Sequence, residues 1–180
     1  MLYSRKKYML IFLAMLTIVY CCKHEKPSPI HGNEVFNSKE DYMKANQYLV
    51  QKDAEQIKSY VERRGWDMTE TKTGLWYMIY NHGNGNPAKD GKKIRLNYTT
   101  TLLDGTLCYS AKENGPKEFI IGKGGVESGL EEGVLLLEEG DKAKFIIPPH
   151  IGHGLLGDNN KIPPRAIIVY DVEVLSISEP

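Results

Sequence analysis

The sequence predicts an α+β domain. A curled antiparallel sheet is covered on one face by one short helix, and a longer helix precedes it. Three observations carry this. Ile94, Leu96, Tyr98, Thr100 and Leu102 alternate at the period of a half-buried strand, as do Ile168, Tyr170, Val172 and Val174. Val126, Leu130, Val134 and Leu137 fall on one face of a short helix. Residues 38–64 contain neither Gly nor Pro and end at Gly65, as a helix does. Several strands around one helix make a layered α+β core.

The elements follow in order. Arg5, Lys6 and Lys7 stand before an apolar run from Tyr8 to Cys22, broken only by Thr17. That is the charged n-region and short h-region of an export signal, and the run is short for a membrane span. Cys21 and Cys22 close the run, where a bacterial lipoprotein signal carries its acylated cysteine. Cys22 is taken as the acylated residue, so residues 1–21 read as a lipoprotein signal peptide. Cys21 is the alternative, and a disulfide to Cys108 or a plain apolar role for the pair stays open. Residues 22–37, with Pro27, Pro29 and Gly32, read as a tether.

Residues 38–65 form the helical extension. Ser38 is the expected N-cap, with Asp41 completing an imperfect capping box. Tyr42, Ala45, Leu49, Ile57, Tyr60 and Val61 give a thin apolar stripe. It can pack on the following domain, stand in solvent, or pair with a second copy as a dimer. Residues 66–180 form the main domain. Gly74 to Tyr80 reads as an aromatic-rich strand, His82 to Asp90 as a loop, and Asp104-Gly105 as a turn. Lys117 to Ile121 and Lys142 to Ile147 are further strands, and Pro148 to Pro164 is a long loop.

Composition excludes several classes. The chain carries 23 basic and 23 acidic residues. Loss of the signal removes Arg5, Lys6 and Lys7 and leaves a mildly acidic chain without a basic, aromatic-interleaved stretch, so no nucleic acid is expected. Gly122-Lys123-Gly124 meets neither the dinucleotide nor the P-loop pattern. His150 and His153 lack a neighbouring carboxylate or Cys in sequence, so no metal is assigned. Ser128 is not in a nucleophile elbow. Asn97-Tyr98-Thr99 is a mid-strand sequon and is set aside. Glu131-Glu132 and Glu138-Glu139 read as solvated positions.

Tyr98 with Asp104-Gly105, the stretch Val126 to Gly133, Gly140, the Gly154 loop, Ile162-Pro163-Pro164 and Val172-Glu173-Val174-Leu175 together resemble the FKBP-type peptidyl-prolyl isomerases. The resemblance covers residues 91 to 177, about half of the chain. It implies an antiparallel half-barrel wrapped around one short helix. It also implies rotation about X-Pro bonds with no cofactor, and clients that are proline-containing polypeptides. Tyr98 and Tyr170 would wall the pocket, Val126 would meet the substrate backbone through its N–H, and Ile162 would hang from the loop.

Several positions depart from the family pattern. Cys108-Tyr109 replaces Phe-Asp, Leu130 replaces a floor Trp, and His153 replaces a Tyr whose hydroxyl binds the substrate. Glu127 replaces an Ile that acts mainly through its backbone, and Lys117 replaces an aromatic lip. His153 keeps a hydrogen-bond donor, and Tyr109 offers a hydroxyl in place of the carboxylate. A retained groove with reduced or altered isomerase efficiency is expected, with weak FK506-type drug binding. A binding or scaffold module of the same fold is the alternative.

The lipid-anchored layout and the Gly74-Leu75-Trp76-Tyr77 lead-in also resemble the gliding-motility-associated isomerases of Bacteroidetes envelopes. Lys23-His24-Glu25-Lys26 shows no acidic surface-export run, so a periplasm-facing membrane anchor in the cell envelope is expected.

Overall fold

The computed structural model describes residues 38–180. The signal peptide 1–21, the tether 22–37 and the lipidation site Cys22 lie outside the described residues.

Helix α1 spans Lys39–Arg64. The Ser38 side chain accepts from the Asp41 N–H at 3.2 Å, the predicted cap. Gly65 closes the helix in the left-handed region, at φ 62°. The short strand β1 (Thr69–Glu70) leads into β2 (Trp76–Asn81). Strand β3 (Lys93–Leu102) turns at Asp104-Gly105 into β4 (Leu107–Ser110). A single turn, α2 (Ala111–Asn114), and β5 (Lys117–Ile120) follow. Helix α3 is Ser128–Val134, and β6 is Lys142–Ile147. A 3-10 turn at Pro149–Ile151 opens the long loop, and β7 (Ile168–Ser178) closes the domain.

All pairings are antiparallel. The order is β1-β2-β6-β7-β3-β4, and β5 also pairs with β3. Strand β3 alternates buried and exposed residues as its sequence predicts. Its inward residues Ile94, Leu96 and Tyr98 join Tyr170, Val172 and Phe145 in one cluster with Leu130 and Val134 of α3. The sheet therefore curls around α3. Gly133 makes the close approach possible, since a Cβ there would lie 2.9 Å from the Phe145 ring.

The other face of the sheet carries a second cluster. Ile57, Tyr60 and Val61 of α1 pack on Ile146, Ile167 and Val169, flanked by Trp66 and Trp76. The extension is thus packed on its domain by its C-terminal half. Tyr42 and Tyr48, in the N-terminal half, are exposed. A second tie is polar: Arg165 Nη2 donates to both carboxylate oxygens of the buried Asp53, at 2.8 and 3.0 Å. No described helix is long and apolar enough to cross a membrane.

Three sequence expectations change. Strands β1 and β4 were not anticipated, because neither is long enough to show a period. Val126 and Leu137 share the buried side of α3 but lie outside the helix proper, so the helix is shorter than its apolar pattern. Of the acidic pairs Glu138 is exposed as expected, but the other three are engaged: Gly124 N–H donates to Glu131, the Thr73 hydroxyl to Glu132, and Ile177 N–H to Glu139.

Candidate functional site

The site forms where β3, β7, the start of α3 and the long loop converge. Register places Thr100 opposite Tyr170 and Tyr98 opposite Val172. Both tyrosines thereby face the same side, with ring centroids 6.2 Å apart and planes 39° from parallel. Leu130, in the first turn of α3, is fully buried beneath them, and Ile162 packs in the same cluster from the loop. Val126 and Tyr109 pack against that cluster, and Cys108 lies inside it.

Glu127 occupies the N-cap position of α3 without making a side-chain cap bond. Its side chain turns inward instead and is 7 % exposed. Tyr170 donates its hydroxyl to Glu127 Oε1 at 2.9 Å. His153 Nε2 lies 2.7 Å from the same oxygen, yet has no aligned hydrogen-bond partner. That is the geometry of an ion-pair approach rather than of a directed hydrogen bond. Burial first, then the Glu127 charge, pushes the Tyr98 and Tyr170 hydroxyls above the usual phenol range. Beside the mainly backbone role expected at Glu127, its carboxylate is drawn in by a buried tyrosine hydroxyl and approached by an imidazole.

The loop is organised by Asp158. Its Oδ1 accepts from the N–H groups of Asn160 at 2.9 Å and Ile162 at 2.8 Å. Its Oδ2 accepts from the Tyr109 hydroxyl. Burial raises the Asp158 carboxyl, but these donors together outweigh it and hold the group below its ordinary range. Tyr109 thus uses its hydroxyl on the loop and does not present it as a substitute carboxylate. Its own titration is raised, first by that bond and then by burial. Cys108 is fully buried, with Sγ 3.6 Å from the Lys161 carbonyl, so it backs the wall under the loop. Burial pushes its thiol up.

Lys117 stands at the rim, its Nζ 5.2 Å from the Tyr98 ring centroid and 5.9 Å from that of Tyr170. The rim is therefore cationic where an aromatic lip was replaced. Gly157, at φ 71°, permits the loop's tightest approach, since a Cβ there would lie 2.2 Å from the Ile162 carbonyl oxygen. His150, the other histidine of the loop, has Nε2 2.8 Å from the Thr73 carbonyl. Among the described residues no group of three His, Cys, Asp or Glu is placed to hold a metal ion.

Tyr98, Cys108, Tyr109, Val126, Glu127, Leu130, His153, Ile162 and Tyr170 are brought together here, with Lys117 at the rim. Asp158 was missed. Its only sequence signal is the Asp158-Asn159-Asn160 turn composition, which marks a loop and not a site.

The comparisons with known proteins agree with this geometry. Residues 84–175 match the sequence model described as FKBP-type peptidyl-prolyl cis-trans isomerase. The chain is 43 % identical over 91 residues to FK506-binding protein 2 of Dictyostelium discoideum, covering 50 % of this chain and 68 % of that one. It is 42 % identical over 90 residues to peptidyl-prolyl cis-trans isomerase Fkbp12 of Drosophila melanogaster, covering 49 % and 83 %. A probable FKBP-type isomerase of Haemophilus influenzae is 35 % identical over 116 residues, covering 64 % of this chain but only 47 % of that longer relative. Among solved structures, FkpA from Escherichia coli superposes with a TM-score of 0.59 at 28 % identity, over 79 % of this chain and 74 % of that one.

Proposed function

The chain belongs to the FKBP-type peptidyl-prolyl cis-trans isomerase family, and we propose that it isomerises prolyl bonds in exported cell-envelope polypeptides. The observation that carries this is the convergence of Tyr98, Leu130, Ile162 and Tyr170 around the start of α3. The barrier to rotation, about 18–20 kcal/mol, comes from amide resonance. An apolar site stripped of water disfavours the charge-separated planar amide. A backbone donor such as Val126 N–H stabilises the twisted state more than the planar one, which is what accelerates a reaction. No nucleophile is needed.

Lipid anchoring through Cys22, a periplasmic position and a gliding-motility role belong to the same proposal. They rest on the leader sequence and on the lead-in to β2. Labelling with a radioactive or clickable fatty acid in wild type and Cys22→Ser tests the anchor. Unchanged label in Cys22→Ser would move the anchor to Cys21, and absence of label in wild type would remove it.

A second reading has its own observation. Glu127 turns inward to meet the Tyr170 hydroxyl and His153, and Tyr98, Leu130, Ile162 and Tyr170 are nearly or fully buried. A groove that must first open favours a module that binds prolyl segments and turns them over slowly. Isomerisation of a short X-Pro peptide, with His153→Ala alongside, separates the two. Turnover altered by His153→Ala supports the enzyme. A folded but inactive chain supports the binding module.

A further inference from the structure

A carboxylate is a costly group to bury in a largely apolar prolyl groove unless it is fully partnered. Glu127 is nonetheless buried, and its two oxygens are treated differently. Oε1 receives the Tyr170 hydroxyl and faces His153. Oε2 is buried with no hydrogen-bond partner. Oε2 is therefore an acceptor without a donor, on a carboxylate whose neighbour His153 Nε2 is itself unpartnered.

The surrounding charges decide what could fill it. Lys117 opposes a second cation, but it stands at the rim, where solvent screens it. Lys161 lies 3.5 Å from Glu113 and is already paired. Asp158, on the loop above, adds negative charge. In the lower dielectric of the interior the Glu127 charge acts more strongly than either lysine.

We propose that Glu127 makes this groove select prolines flanked by a basic side chain, whose donor completes Oε2. The inference rests on the prolyl-groove reading above and names its substrate class. Arginine fits better than lysine, because its planar fork can span both carboxylate oxygens. An acidic residue beside the proline would meet a buried like charge and be rejected. Specificity then comes from repulsion as much as from attraction.

The test uses the full-length chain and four matched, end-capped peptides carrying Arg-Pro, Lys-Pro, Leu-Pro and Glu-Pro. Exchange NMR gives kcat/KM and calorimetry gives Kd, for wild type and Glu127→Gln. Wild type should favour Arg-Pro over Glu-Pro by about tenfold or more, the worth of one hydrogen bond to a charged group. Lys-Pro should fall between them. Glu127→Gln keeps the shape and an acceptor for Tyr170 but removes the charge, so the Arg/Glu ratio should collapse to within about twofold. Should that variant not fold, Glu127→Met takes its place. A ratio near one in wild type, or one that survives loss of the charge, overturns the proposal. If no peptide turns over, the isomerase reading fails, and the same ratio taken in Kd still decides charge selection.

Discussion

Asp53 and Arg165 offer the sharpest test of how the helical extension serves the domain. Arg165 sits at φ 58°, in the left-handed region. That conformation costs a non-glycine residue about 1–2 kcal/mol. It is held from two sides: the Arg165 N–H donates to the Gly154 carbonyl at 3.0 Å, and its guanidinium grips Asp53 on α1. A charge pair about 4 Å apart gains about 4 kcal/mol at an effective dielectric of 20, most of it returned as desolvation. Asp53 has 10 % of its side chain exposed but Arg165 has 31 %, so screening takes a further share. A coupling of about 1–2 kcal/mol remains. Asp53→Ala should cost about 2–3 kcal/mol, since it also leaves the guanidinium unpaired. For a domain of this size that lowers Tm by about 4–12 °C. The assay is a double-mutant cycle with Arg165→Gly, read by urea unfolding. Because the same loop carries His153 and Ile162, Asp53→Ala should also raise KM for a prolyl peptide. A coupling below about 0.5 kcal/mol would show that the pair is ornamental and that α1 does not brace the loop.

Three further perturbations follow from the packing. Ile57 is fully buried on the face of the sheet opposite the groove, so Ile57→Ala should cost about 3 kcal/mol in urea unfolding while leaving peptide turnover within about twofold below the melting range. Gly133→Ala would push a methyl against the Phe145 ring and should lower stability by about 1–3 kcal/mol in thermal melts. Asp158 has a lowered carboxyl pKa, so the stability it lends is complete above the ordinary carboxylate value of about 3.9 and is lost as pH falls through the lowered folded value. Hydrogen-exchange protection of the Asn160 and Ile162 amides should accordingly hold down to about pH 4 and drop below it. A drop of the same size in Asp158→Asn would show that another group controls the loop.

The strands that build the groove were legible because burial on one face imposes a period of two. Strands β3 and β7 carry that period over ten and eleven residues. Strand β4 was not legible: its four residues, from exposed Leu107 to buried Ser110, give two cycles of alternation and no more. The extension was legible as a helix, with packing on the domain one of three alternatives its thin stripe left open. Asp53 interrupts its stripe, and nothing in a sequence shows that an arginine 112 residues later will neutralise it.

The groove itself divides along the same line. Its apolar members could be named only through the family resemblance, with which the alternation of β3 and β7 agrees, whereas its polar contacts join residues far apart and leave no pattern. Tyr170 and Glu127 are 43 residues apart, and Tyr109 and Asp158 are 49. There is still a physical route from one kind of knowledge to the other. The alternation in β7 turns Tyr170 inward, and an inward tyrosine brings a hydroxyl that must find a partner once water is gone. Glu127 is a strong acceptor at the head of the helix that covers Tyr170, and it makes no cap bond of its own. The need created by one position is met by the freedom left at the other. The inward turn of Glu127 thus follows from Tyr170. Tyr170→Phe should remove the hydroxyl, release the Glu127 carboxylate toward His153 and solvent, and open the groove. A crystal structure of that variant with Glu127 still folded inward would locate the attraction in His153 instead.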